Sequence, residues 1–174
     1  MPTLAQTLSI TTPVSVLRHK ARRLGIDDIG SMISLAVARG CRHYSPAARV
    51  LAYPPSRAEL TDEELAILLL LGGNPYEPTA IRCAAQLARS PDVDPARLAE
   101  LAIREKTERV LAHIARAGIA HDVPGNGFWR TVIDHLPPLK ARAEPELPHW
   151  SRFVSMPGRQ RGGEAPVTWL APET

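Results

Sequence analysis

The stretch Thr61 to Leu71, TDEELAILLLL, constrains this chain more than any other part of it. Thr61 with Glu64 three residues later has the form of a capping box, and the acids Asp62, Glu63 and Glu64 suit the positive end of a helix dipole. Leu65 to Leu71 are apolar on every side of a helical wheel. A helix apolar all round is buried all round, so this one is predicted at the centre of the fold. The run is far below the ~18 residues that a membrane span requires, and no membrane association is expected. Gly72-Gly73-Asn74-Pro75 ends it.

Two more helices follow. Pro78 opens one that reaches about Ser90, with Ile81, Ala84, Ala85 and Ala88 on one face. Asp94 caps and Pro95 begins another, predicted to continue to Ala117. Its apolar phase shifts partway, from Leu98, Leu101 and Ala102 to Ile103, Val110, Ile114 and Ala117, so a bend is expected near Arg104. Residues 60–118 therefore form a central set of helices. Helix pairs with proline at their starts resemble α-solenoid geometry, although no tandem repeat is present.

Residues 1–11 lack a helical period and read as an extended arm. Thr12 and Pro13 have the form of a helix start, and Val14, Leu17, Ala21 and Leu24 share a face that Gly25 closes. Asp27 or Asp28 caps a second helix whose Ile29, Met32, Ile33, Ala36 and Val37 make a continuous stripe before Gly40. Ser45-Pro46 starts a short helix to about Ala52, and Pro54-Pro55 breaks it, so residues 12–55 are a group of basic helices. Beyond Gly118, HDVPGNG is a loop. Asn126 is placed as the cap of a last helix that bears Phe128, Trp129, Val132, Ile133 and Leu136 and is ended by Pro137-Pro138.

The expected architecture is all-α: one helical domain, residues 1–136, of six or seven helices. Scarce aromatics, at 5%, and abundant alanine and leucine support it. At 174 residues the chain is long enough to bury about two thirds of the surface its unfolded form exposes, without disulfides or metal. Residues 137–174 are proline-rich and are predicted to pack on the surface. They are either irregular or a short β-hairpin pairing Phe153–Met156 with Val167–Leu170 around PGRQRGG.

Charge is unevenly distributed. Residues 1–60 carry eight Lys or Arg against three acids, whereas residues 61–135 carry eight against eleven. Arg18, Lys20, Arg22 and Arg23 cluster on the first helix, and Arg39, Arg42 and Arg49 follow. A band formed by these groups would meet nucleic-acid phosphates or an acidic protein surface. Only Tyr44 and Tyr53 lie in the basic region, which gives little for base stacking. Trp150, Phe153 and Trp169, set among arginines, have the residue types of interface hot spots, and equally of anchors that pin the C-terminal segment to its own core.

Signals for catalysis are few. No phosphate-cradling glycine loop or GxSxG occurs. Glu105 and Glu108, three residues apart, would share a helix face as an acid/base pair or metal site would need, with a solvated face as the alternative. His121-Asp122 resembles the metal-binding pair of the HD phosphohydrolases, but Val-Pro-Gly follows at once and puts it at a helix end. His113 is too close to serve as the upstream histidine of that pattern. Cys41 and Cys83 form no CxxC and have no histidine at ligand spacing, so two buried free thiols in a reducing cytoplasm are expected.

These features lead to a non-catalytic helical adaptor or scaffold subunit of a cytoplasmic assembly, with a protein partner and no cofactor. The alternatives are a nucleic-acid-binding subunit that contacts the phosphate backbone through its basic helices, and a metal-dependent hydrolase built on His121, Asp122, Glu105 and Glu108.

Overall fold

The structure is a computed structural model that describes residues 15–42, 50–71, 77–138 and 169–173. Seven α-helices occur among them, and no strand: α1 Val16–Arg23, α2 Ile29–Ala38, α3 Asp62–Leu70, α4 Pro78–Leu87, α5 Pro95–Arg104, α6 Glu108–His121 and α7 Asn126–His135. The fold is all-α and forms a single domain. The predicted arm, the Thr12-Pro13 helix start, most of the predicted Ser45–Ala52 helix and all of the predicted hairpin but Trp169 and Leu170 lie outside the described residues.

All nine residues of α3 are buried, and Thr61 and Glu64 complete the capping box in both directions. α3 packs against α1, α2, α4 and α5, and α7 closes the far end against α5 and α6. Each of these packings joins helices that are adjacent or one apart along the chain. That is the order a stack of helix pairs produces.

What makes α3 central is polar as well as apolar. Its three acids are almost entirely buried, and each is directed to a different neighbour. Asp62 accepts from Arg39 Nη1 of α2 at 2.9 Å and from Arg57 Nε at 3.1 Å. Glu63 accepts the Asp94 backbone N–H at the start of α5, at 3.2 Å. Glu64 pairs with Lys20 Nζ of α1 at 2.7 Å and with its own Thr61 N–H at 2.9 Å. One helix N-terminus thus ties three other helices to itself with charge-assisted bonds.

Three helices end in the same way. After α1, Gly25 takes φ +73° and Ile26 N–H returns to Ala21 O; after α2, Gly40 takes φ +113° and Cys41 N–H returns to Ala36 O. These are Schellman closures, in which a residue in the left-handed region lets two amides satisfy the last carbonyls. The third falls where a bend was expected near Arg104, and it is a complete break. Lys106 takes φ 59°, Thr107 N–H bonds Ala102 O at 2.8 Å, and α6 starts afresh at Glu108. The shift in apolar phase therefore marks two helices, each with its own buried face.

At the start of α7 the expected cap is displaced by one residue. Gly125 occupies the cap position, and Asn126 is the first helical residue. The Asn126 side chain instead donates to Ile119 O at 2.7 Å and accepts from Arg130 Nε at 2.7 Å.

Cys41 and Cys83 are free and fully buried, as expected. Cys41 Sγ donates to Cys83 O at 3.8 Å. The hydrogen-bonded Cys83 neighbour, followed by burial, pushes the Cys41 thiol well above its ordinary value of 9.0. The native state then keeps this proton at a pH where the unfolded chain has released it. Stability from this group is present below about pH 9 and declines above it. Urea denaturation between pH 7 and pH 10 is expected to show that decline, with a shallower slope in Cys41→Ala. Equal slopes in the two proteins would remove the thiol from the account.

Candidate functional site

α1 lies against α3 through Leu17 and Ala21, both buried, so its other side faces outward. That side carries exposed Arg18, His19, Arg22 and Arg23, with Lys20 half-buried by its bond to Glu64. α2 also packs on α3, and between α1 and α2 lies a cavity of about 170 Å³ lined by Arg18, Arg22, Asp27, Ile29, Met32, Leu68 and Leu71. Its floor is apolar, from Met32, Leu68 and the edge of Leu71. Its rim holds two guanidinium groups and one carboxylate.

Arg18 is fixed there by α3. Its guanidinium donates to Leu71 O, the C-cap carbonyl of that helix, where a cation also complements the dipole. Arg22 is placed one helical turn further along the same face, on the rim of the cavity. An apolar floor beside outward-facing cations suits a ligand that offers an apolar side chain flanked by acidic groups.

The predicted basic residues divide. Arg18, Lys20, Arg22 and Arg23 do come together on α1. Arg39 does not join them: it is 7% exposed, bound to Asp62 and to the carbonyls of Pro55 and Ser56 at 3.1 Å. Burial lowers its pKa, and the Asp62 carboxylate opposes that effect. Arg39 follows the last residue of α2 and turns inward to Asp62, the acid supplied by α3. Arg42 is exposed and lies 3.7 Å from Glu173. Arg49, Trp150 and Phe153 lie outside the described residues.

Trp169 is buried within its own chain. Its indole N–H donates to Ala85 O at 3.2 Å, and its ring packs on Trp129 with centroids 4.9 Å apart. It thus anchors residues 169–173. A second hollow, of about 390 Å³, is lined by Glu64, Arg97, Glu100, Leu101 and Arg104, and its mixed charges give no single-sign field.

The residues named for hydrolysis lie on different elements. Glu105 and Glu108 do not share a helix, since the left-handed Lys106 separates the C-cap of α5 from the first residue of α6. Glu105 Oε1 accepts the Leu17 N–H at 3.3 Å and so holds the start of α1. Asp122 is the C-cap of α6, at a helix end as its Val-Pro-Gly neighbours required. Its carboxylate accepts from Arg89 Nε at 2.6 Å, Trp129 Nε1 at 2.8 Å and Gly125 N–H at 3.0 Å. Among the described residues no group of three or more His, Cys, Asp or Glu converges on a point where a metal ion would sit.

Two groups of consequence escaped the reading of the sequence. One is the inward pair Arg39–Asp62, and its only signal was an arginine ending an otherwise apolar helix. The other is Asp122 as a structural acceptor, signalled by the aspartate standing between a helix end and a tryptophan-bearing helix. Among the described residues no helix is long and apolar enough to cross a membrane. No family model, curated protein or solved structure matches this chain.

Proposed function

We propose that the protein is a non-catalytic helical adaptor of a cytoplasmic assembly, and that it takes an acidic segment of a partner protein into the cleft between α1 and α2. The observation that carries this reading is the cleft itself: an apolar floor of Met32 and Leu68 directly beside Arg18 and Arg22. A phosphate backbone would use the cations and leave the floor empty. A peptide with an apolar side chain between acids uses both.

The structural bonds accepted by Asp122, and the break at Lys106 that puts Glu105 and Glu108 on different helices, favour a binding role over hydrolysis. Arg39 is withdrawn to the interior, which takes it out of the outward basic band among the described residues. That lessens support for a long track along nucleic acid.

The test is affinity capture from a native extract with the full chain and with Arg22→Glu/Arg23→Glu, whose sites are exposed and bear no part of the core. A protein held by the unaltered chain, resistant to nuclease, is expected to bind the charge-reversed chain at least about tenfold more weakly. Binding abolished by nuclease would replace the reading with nucleic-acid recognition. Binding unaffected by charge reversal would move the interface away from the cleft.

A further inference from the structure

Residues 169–173 return to the helical body and settle in a groove formed by the end of α2, by α4 and by α7. Four contacts hold them. The Trp169 indole fills the space between Trp129 of α7 and Ala85 of α4, with its N–H on Ala85 O. Gln86 Nε2 donates to Ala171 O at 3.0 Å. Glu173 N–H donates to Gly40 O at 3.0 Å, and the Glu173 carboxylate lies 3.7 Å from Arg42.

Gly40 makes the approach possible. A Cβ built there would come within 2.5 Å of Glu173 O and 2.9 Å of its nitrogen, so only glycine lets the segment lie against the turn after α2. On the groove side, Gln86 is buried and its Oε1 has no hydrogen-bond partner, which leaves an acceptor ready beside the bound segment.

These contacts have the organisation of peptide recognition. Two are made to main-chain atoms that any sequence offers, and two read side chains: an aromatic pocket and a cation four residues further on. The helices meanwhile pack on one another, and in sequence residues 139–168 separate α7 from the segment that fills the groove. We infer that this groove is a peptide-binding site whose resident occupant is the 169–173 segment, and that it accepts in trans a peptide bearing tryptophan with an acidic residue four positions later. Because the resident segment is tethered, its docking is intramolecular, and a free peptide binds only as far as it displaces it.

The experiment uses the full chain carrying Trp169→Ala and a fluorescein-labelled peptide of sequence VTWLAPET, followed by anisotropy. The peptide is expected to bind the variant at least about tenfold more tightly than the unaltered chain. The same peptide with alanine in place of tryptophan is expected not to bind. Should circular dichroism show that Trp169→Ala loses its helices, Glu173→Pro decides the matter. That change removes the N–H given to Gly40 and the carboxylate near Arg42 at an exposed position, and it too is expected to increase peptide binding. Absence of binding to either folded variant, or equal binding of the tryptophan-free peptide, overturns the inference.

Discussion

Asp122→Ala is expected to destabilise the fold by about 3–5 kcal/mol. The carboxylate is 4% exposed and serves three donors from two neighbouring elements: Arg89 just beyond α4, and the indole of Trp129 and the capping Gly125 N–H of α7. Its loss leaves the indole N–H of a fully buried tryptophan without a partner, and the Gly125 N–H keeps only the Asp122 backbone carbonyl, at 3.0 Å. The Arg89 guanidinium, which lies 5.3 Å from the centre of the Phe128 ring, loses its counter-charge as well. Asp122→Asn keeps an acceptor and the size of the side chain, and about half the loss is expected. Thermal denaturation of the three proteins measures this. A fall below about 1 kcal/mol for alanine would mean that Asp122 does not link α6 to α7.

Arg39→Ala is the second large effect, about 3 kcal/mol. It strands Asp62, whose side chain is 4% exposed, with Arg57 as its one remaining cation, and it removes the donor to the carbonyls of Pro55 and Ser56. A buried ion pair costs much in desolvation, so breaking it and replacing it are different experiments. Arg39→Met together with Asp62→Leu removes both charges and fills the space, and it is expected to lie within about 2 kcal/mol of the unaltered protein. Denaturant midpoints of the single and double variants test this. If the double variant is as unstable as Arg39→Ala, the pair contributes more than the desolvation it costs.

Much of the architecture is legible in the residues. The capping box at Thr61 and Glu64, the burial of Leu65 to Leu70, and the stops at Gly25 and Gly40 follow from local chemistry and appear as expected. Less legible are the features in which charge turns inward. Asp62, Glu63 and Glu64 read correctly as dipole-compatible acids, but nothing in their order shows that three neighbouring elements bring partners and bury them. Arg39 reads as a surface cation because helix ends are usually solvated. The break at Lys106 was marked by the phase shift, yet a left-handed lysine has no sequence signature comparable to glycine.

The functional reading was legible only in outline. The basic residues of α1 stand together, but the cleft beside them depends on how α1 and α2 lie on α3, a matter of packing that no local pattern encodes. The ambiguity over Trp169 has the same origin. A tryptophan among arginines fits an interface or an anchor equally well, and only the nearby Ala85 carbonyl and Trp129 ring place it as an anchor.

The acidic end of α3 also carries a consequence for synthesis on the ribosome. Chains emerge N-terminal first, at roughly 5–20 residues per second. Lys20 and Arg39 are already available when Glu64 and Asp62 leave the exit tunnel, but the Asp94 amide that satisfies Glu63 is made 31 positions later. For an interval of seconds the nascent chain holds a leucine-rich helix with one carboxylate unmatched and its α5 neighbour absent. Until α5 is made, the helix most committed to the interior lacks both that amide and one of the helices that bury it.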